Sequence, residues 1–232
     1  MFIKQFKYSA DNLGYLVYST SQGVAIDAGN VDEILAFAKE KGIQIKYITN
    51  THSHHDHITG NHRLLEKTKA QFVDCQTITS DQTLTIDDET LDVFPTPGHT
   101  QESVTFAADD FLVTGDTLFN GTVGNCFTGD LKTFYRSLKR LMAYPETTKI
   151  FAGHDYVLES IKYAKIIEPE NVFIEEFSKQ YSPDLVVSTL ADELKVNPYI
   201  RFNAPGMIEN LKQRQISANT EFARFEAIME IY

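Results

Sequence analysis

Apolar and polar positions alternate in short runs at the start of the chain, over residues 2–8, 14–19 and 23–27, and these runs are rich in β-branched and aromatic side chains. Turn-forming stretches, Asp11-Asn12-Leu13-Gly14 and Ser21-Gln22-Gly23, separate them, so the pattern predicts three strands of an antiparallel meander. Val31, Ile34, Leu35, Phe37 and Ala38 then recur at helical spacing up to Lys41-Gly42, where glycine can close a helix in the left-handed conformation. A strand over 43–49 follows, and the strand–helix–strand order puts its C-terminal end where open sheets place ligands. Further on, a helix is predicted over 60–69 and strands over 71–74, 83–86, 90–94, 103–107, 110–114 and 149–152. Beyond Pro169 no strand signal remains. Helices are predicted there over 172–180, 189–195, 204–215 and 220–230, with a boundary near Glu168 dividing residues 1–168 from a helical extension over 169–232.

Composition narrows the classes. With 232 residues and 42% hydrophobic content, the chain can bury one substantial core. A net charge of -11 argues against a nucleic-acid groove, which needs a basic face. No apolar run approaches a membrane span, and Met1-Phe2-Ile3-Lys4 lacks the order of a signal peptide, so a soluble, cytoplasmic monomer is expected. Cys75 and Cys126 form no Cys-x-x-Cys pattern; a disulfide scaffold is excluded, and buried free thiols are expected at both.

Candidate chemistry concentrates in Thr51-His52-Ser53-His54-His55-Asp56-His57, which holds four histidines and one aspartate in seven residues. On an extended strand end, His52 and His54 point to one side and can chelate one ion. Asp56 and His57 lie where the next helix begins and are aimed at a neighbouring point, which allows a second ion. A solvated polar turn is the plain alternative. His99 follows Pro95-Thr96-Pro97-Gly98, a rigid loop suited to a ligand, though a surface histidine in a turn fits the same residues. Asp116, after Gly115 at the end of the 110–114 strand, is a helix cap, a turn former or a carboxylate bridging two metals. His154 ends the 149–152 strand. His55 faces away by strand alternation, and His62 reads as a helix surface or packing residue.

Together His52-Ser53-His54-His55-Asp56-His57, Thr96-Pro97-Gly98-His99-Thr100, Thr114-Gly115-Asp116-Thr117 and Gly153-His154-Asp155 resemble the ordered motifs of the metallo-β-lactamase superfamily. Asp116-Thr117-Leu118-Phe119, Gly153-His154-Asp155-Tyr156, Ile167-Glu168-Pro169-Glu170-Asn171, and the run from Ser188 to Glu193 with Asn197-Pro198-Tyr199 resemble glyoxalase II over nearly the full length. The resemblance implies an α+β fold: a sandwich of two mixed sheets with helices on both outer faces, then a helical extension that helps bind the thiol carrier. It implies a metallohydrolase of S-(2-hydroxyacyl)glutathione thioesters with two divalent ions, zinc by default and iron or manganese as alternatives. By position, His52, His54 and His99 hold the first ion, Asp56, His57 and His154 the second, and Asp116 bridges. A water shared by two ions is acidified, so hydroxide is available near neutral pH to attack the thioester carbonyl, with Asp56 orienting it.

The carrier side departs from that pattern. Glyoxalase II carries a cation and then a tyrosine in the loop where this chain has Asn125 and Phe127 within Gly124-Asn125-Cys126-Phe127-Thr128-Gly129, whereas Tyr156 matches a position that contacts glutathione. At the C-terminus, Ile216-Ser217-Ala218-Asn219 stands where the family's basic pair would align, leaving Arg214 or Lys212 as substitutes. Each lost charge-assisted contact costs roughly 1.5–3 kcal/mol, so glutathione affinity is expected to be weak. Two alternatives on the same fold follow: a hydrolase of another acyl thioester or lactone, and a one-iron persulfide dioxygenase, whose usual arginine in this loop is missing here.

Overall fold

The computed structural model describes residues 1–231. The alternating N-terminal runs form strands β1 (Phe2–Tyr8), β2 (Asn12–Tyr18) and β3 (Gln22–Ile26), paired antiparallel in order. Helix α1 (Val31–Lys41) ends at Gly42 with φ 71, and β4 (Gln44–Thr49) returns parallel to β3. A one-turn helix α2 (His55–Ile58) and α3 (Asn61–Lys67) come next, followed by β5 (Gln71–Val73) parallel to β4. The helix predicted over 60–69 is thus shorter, and the turn carrying Asp56 and His57 is a separate piece.

The second sheet begins with β6 (Gln82–Ile86), β7 (Glu89–Pro95), β8 (Val104–Ala108) and β9 (Phe111–Gly115), an antiparallel meander. After α4 (Leu131–Leu141), strand β10 (Lys149–Ala152) pairs parallel to β9. Helices α5 (Val157–Ile167) and α6 (Phe173–Gln180) precede β11 (Ser188–Thr189), which pairs antiparallel with β10. The chain ends with α7 (Leu190–Val196), α8 (Pro205–Gln213) and α9 (Glu221–Ile231). Both sheets are mixed, in the orders β1-β2-β3-β4-β5 and β11-β10-β9-β8-β7-β6.

Strand periodicity explains the layers. Leu13, Tyr15, Val17, Val24 and Ile26 from one sheet meet Leu91, Val93, Phe106, Phe111, Val113 and Phe151 from the other in a shared inner core. The alternate residues face outward under helices. Leu16, Ala25 and Ile48 pack with Ile34, Ala38 and Leu64 from α1 and α3, while Leu112 and Ile150 pack with Phe134, Leu138 and Leu141 from α4 and Phe225 from α9. Central strands are therefore apolar on both faces and read as nearly continuous hydrophobic runs.

Three expectations are corrected. Helices α4 and α5 stand where the hydrophobic pattern above assigns no element. In α4 the buried Phe134, Leu138 and Leu141 recur at helical spacing behind Asp130, whose side chain caps Thr133 N at 2.9 Å. Beyond Pro169 there is a strand after all: Ser188 and Thr189 pair with Ile150 and Lys149 before Thr189 caps α7 in a capping box with Asp192. Two residues are too few to show a period. Cys75 is buried as expected, but Cys126 is only partly buried; both are free thiols.

The segment beyond Glu168 is stitched to the sandwich. Gln5 exchanges two hydrogen bonds with the Val186 backbone, and Arg201 grips the buried Glu168 through Nε and Nη2 at 2.8 and 3.1 Å. Among the described residues, no helix is long and apolar enough to cross a membrane.

Candidate metal centre

Four strand ends converge on one edge of the sandwich. β4 leads through Asn50 and Thr51 to His52 and His54, and α2 turns Asp56 and His57 back towards them. β9 delivers Asp116, β10 delivers His154, and the loop between β7 and β8 carries His99. Close approach is possible because the residue before His154 is glycine: a Cβ on Gly153 would lie 2.1 Å from Asp116 Oδ1.

The side chains gather into two clusters, His52/His54/His99/Asp116 and Asp56/His57/His154. In the first, His54 Nδ1 lies 3.0 Å from His52 Nε2 and 3.1 Å from His99 Nε2. In the second, the Nε2 atoms of His57 and His154 are 3.2 Å apart, and Asp56 Oδ2 is 3.5 and 3.3 Å from them. Asp116 touches both sets: Oδ2 is 3.8 Å from His52 and 3.5 Å from His99 and His154, and Oδ1 is 3.4 Å from His57.

Four rings are oriented by partners that accept a proton from Nδ1. His57 donates to Asp27 Oδ2 at 3.0 Å and His154 to Asp11 Oδ1 at 2.9 Å, since a carboxylate only accepts. His99 donates to the Asn125 carbonyl at 3.0 Å. His52 donates to Thr51 Oγ1 at 3.1 Å, because that hydroxyl gives its own proton to Asp27 at 2.6 Å. The inner ring nitrogens, Nε2 of His52, His57, His99 and His154 and Nδ1 of His54, consequently face one another within each cluster across 3.0 to 3.2 Å, an arrangement that a cation relieves. Asp116 Oδ1 is buried without a hydrogen-bond partner, which a metal ion would also satisfy. Imidazole nitrogens with carboxylate oxygens suit zinc, and also iron or manganese.

The protein's own charges divide the two clusters. Burial, helped by the neighbouring His57, lowers His52 to about 3, and burial lowers His99 as well. Burial opposes protonation of His57 too, yet Asp27 and Asp116 outweigh it and raise that ring to about 11. His154 is raised in the same way, with Asp116 and Asp11 overcoming burial. Asp116 is held well below the usual carboxylate range, burial being outweighed by His154 and His57. The carboxylates that favour a proton on His57 would also attract a divalent cation.

Tyr156 stacks on His154, with ring centroids 4.9 Å apart and planes at 3°. Burial and the nearby carboxylates of Asp11 and Asp116 push its phenol up to about 12, so it stays a hydrogen-bond donor at neutral pH. Phe127 is 66% exposed, with its ring 5.1 Å from that of His99 and 5.8 Å from that of His54. Asn125 is exposed, and its backbone rather than its side chain serves the centre. His55 and His62 are exposed, the latter 3.7 Å from Glu66 on its own helix. Arg214 donates through Nε to Asn210 one turn back.

Sequence reasoning missed the residues that orient the ligands. Asp27 is fully buried at the end of β3 with φ 49, a left-handed conformation uncommon outside glycine, and it holds Thr51 N, Thr51 Oγ1 and His57 together. Its strand-end position matches that of Asp116 and was the available signal. Asp11 and Asn12 read only as turn formers, yet Asn12 Nδ2 donates to Asp56 Oδ2 at 2.7 Å.

Comparison with known proteins agrees with this geometry. The metallo-beta-lactamase superfamily model matches residues 13–79, and the model of the hydroxyacylglutathione hydrolase C-terminus matches residues 155–230. A hydroxyacylglutathione hydrolase from Chromohalobacter salexigens is 31% identical over 223 residues, covering 88% of this chain and 87% of the relative. One from Vibrio cholerae is 30% identical, covering 98% and 97%. The chain belongs to the hydroxyacylglutathione hydrolase family. Its C-terminal family segment begins one residue after His154, so in this hydrolase the tail is continuous with the second cluster. The fold is also that of ETHE1 from Myxococcus xanthus, at 24% identity and TM-score 0.72 over 99% of this chain and 90% of that one.

Proposed function

We propose that this chain hydrolyses S-(2-hydroxyacyl)glutathione to glutathione and a 2-hydroxy acid, with two divalent ions held by the seven clustered side chains. The observation that carries it is the position of Asp116, within 3.8 Å of ring nitrogens from both clusters. Two ions, when bound, supply Lewis acidity and a hydroxide at neutral pH. His52, His54 and His99 would hold one ion, Asp56, His57 and His154 the other, and Asp116 would bridge; zinc is the first choice for both.

The chain's own groups do the rest. Asp56 is kept ionised because its His57 neighbour and the Asn12 amide outweigh the effect of burial, so it can accept a hydrogen bond from the attacking water and orient it. Tyr156 offers its phenolic proton to the glutathione moiety, and Phe127 offers an apolar face at the mouth. A thiolate leaves readily, so no dedicated general acid is needed. The same reading takes 169–232 as the carrier-binding extension of a 1–168 catalytic unit, and the protein as a cytoplasmic monomer that requires no nucleic acid or membrane. The presence of a complete second cluster favours it over a one-iron dioxygenase.

The test is hydrolysis of S-lactoylglutathione, followed by thioester absorbance with and without prior chelation. Turnover that chelation abolishes and added metal restores is expected. Absence of any glutathione thioester hydrolysis, with brisk cleavage of another acyl thiol, would reassign the carrier while keeping the fold.

A further inference from the structure

The chain between Asp116 and Asn125 is a tight hairpin, with Leu118 bridged to Val123 and Phe119 N donating to the Thr122 carbonyl at 3.0 Å. Its two feet are both parts of the metal centre. Asp116 is one; at the other, Asn125 presents the carbonyl that orients His99. The feet are pressed together at Gly124, where a Cβ would sit 1.8 Å from the Asp116 carbonyl oxygen. Phe119, on the outgoing arm, also packs its ring against those of Tyr156 and His154 at 5.1 and 6.0 Å.

The tip of this hairpin is held by the C-terminal tail. Gly121, with φ 93, donates its N–H to both carboxylate oxygens of Glu193, at 3.1 and 2.9 Å. Glu193 also accepts from Ser188 Oγ at 2.6 Å and Asn197 Nδ2 at 2.8 Å, and Asn197 Nδ2 donates onward to the Thr122 carbonyl at 2.9 Å. Asn120 Nδ2 donates to Ser188 Oγ at 2.6 Å. Glu193 is fully buried, and burial pushes its carboxyl up to about 7 against the pull of Ser188, Asn197 and Gly121. A carboxylate kept there is an expensive way to fasten a tail, since an apolar side chain of similar volume packs at lower cost. What a carboxylate adds is two acceptors fixed in space.

We infer that Glu193 is a positioning residue for the metal centre: by clamping Gly121 it sets the hairpin whose feet are Asp116 and the carbonyl that orients His99. This rests on the two-ion reading above. Glu193→Gln would turn an amide against one of the donors now facing the carboxylate and shift the hairpin tip, without touching any proposed ligand.

The experiment titrates purified protein with cobalt(II), reading affinity by competition with a chromophoric chelator and ligand geometry from the visible bands at saturation. Phe225→Leu is the control, because it loosens the tail through the packing of α9 against Phe134 and Phe202, in the core that Leu118 and Val123 also enter, while removing none of the hydrogen bonds that hold the hairpin tip. Glu193→Gln is expected to weaken cobalt binding at least tenfold and to shift the bands, while Phe225→Leu, with a similar fall in Tm, leaves both as in the parent. Parent-like affinity and bands in Glu193→Gln would overturn the inference, as would the same change in Phe225→Leu. If Glu193→Gln does not fold, Asn197→Ala is read against the same control, and parent-like behaviour there overturns it equally. A parent that binds no cobalt would instead remove the two-ion reading itself.

Discussion

The metal centre and the loop that faces it, residues 124–129, are built on opposite rules. In the centre, four of the five histidines have their outer nitrogen anchored by Asp27, Asp11, Thr51 or the Asn125 carbonyl. In the loop it is the backbone and Thr128 that are anchored, Thr128 donating to the Gly98 carbonyl, while the Asn125 and Phe127 side chains face solvent. Each anchored ring is fixed by a partner that is itself held in the fold, Asp27 gripping both Thr51 and His57, so a change there disturbs more than one side chain of the site. Exposed loop side chains depend on little else and can be exchanged while the chemistry stays. The contrast accounts for a chain that keeps seven clustered histidine and aspartate side chains while carrying Asn125 and Phe127 in the facing loop.

The largest effect is expected at Asp116, which serves both clusters. Asp116→Asn, and His99→Ala beside it, should lower kcat by about a thousandfold or more, the scale of losing a reacting group, while the chain still folds. Near-native turnover with full metal content in either variant would break the contrast at its buried side. Smaller, but still large for a residue that touches no metal, is Asp27→Asn, which loosens Thr51 and His57 together; a loss of about 10–100-fold in metal affinity is expected by chelator competition. An unchanged affinity would mean the orientation of His57 is set elsewhere.

The loop should respond differently. Asn125→Lys combined with Phe127→Tyr is expected to lower KM for S-lactoylglutathione several-fold with kcat roughly unchanged, as when uniform binding is restored. A parent already saturating at low micromolar thioester would show that other residues do this work.

The smallest effect tests whether the tail belongs with the buried side. Burial raises Glu193 from its ordinary 4.5 to about 7 in the folded protein, with Ser188 and Asn197 pulling the other way. A group raised in the folded state contributes stability that is full below the ordinary value and is lost as pH rises through about 7. Relative to Glu193→Gln, which does not titrate, the parent should therefore lose roughly 1–3 kcal/mol between pH 5 and pH 8, seen in urea midpoints. Parallel pH curves for the two proteins would place Glu193 in a less buried setting.

Much of this was legible in the sequence, for identifiable reasons. The clustered histidines and aspartates follow strands whose apolar runs are strong signals, and the spacing of His52, His54, Asp56 and His57 is local, so pattern and motif agree. Asp27, Asp11 and Asn12 gained their roles only when β2 and β3 were laid beside β4 and β10, a juxtaposition that no local pattern encodes. Ser188 pairs with Ile150 across 38 positions of sequence for the same reason. Helix α4 is a different kind of miss: its period was present, in a stretch between the glycine-bearing loop that ends at Gly129 and the turn at Pro145.

The central claim is that two ions share Asp116. Anomalous diffraction from crystals of metal-loaded protein tests it most directly. Two peaks about 3.5 Å apart are expected, one beside His52, His54 and His99, the other beside Asp56, His57 and His154, with an Asp116 oxygen bound to each. A single peak at full metal loading, or Asp116 bound to neither, would contradict it.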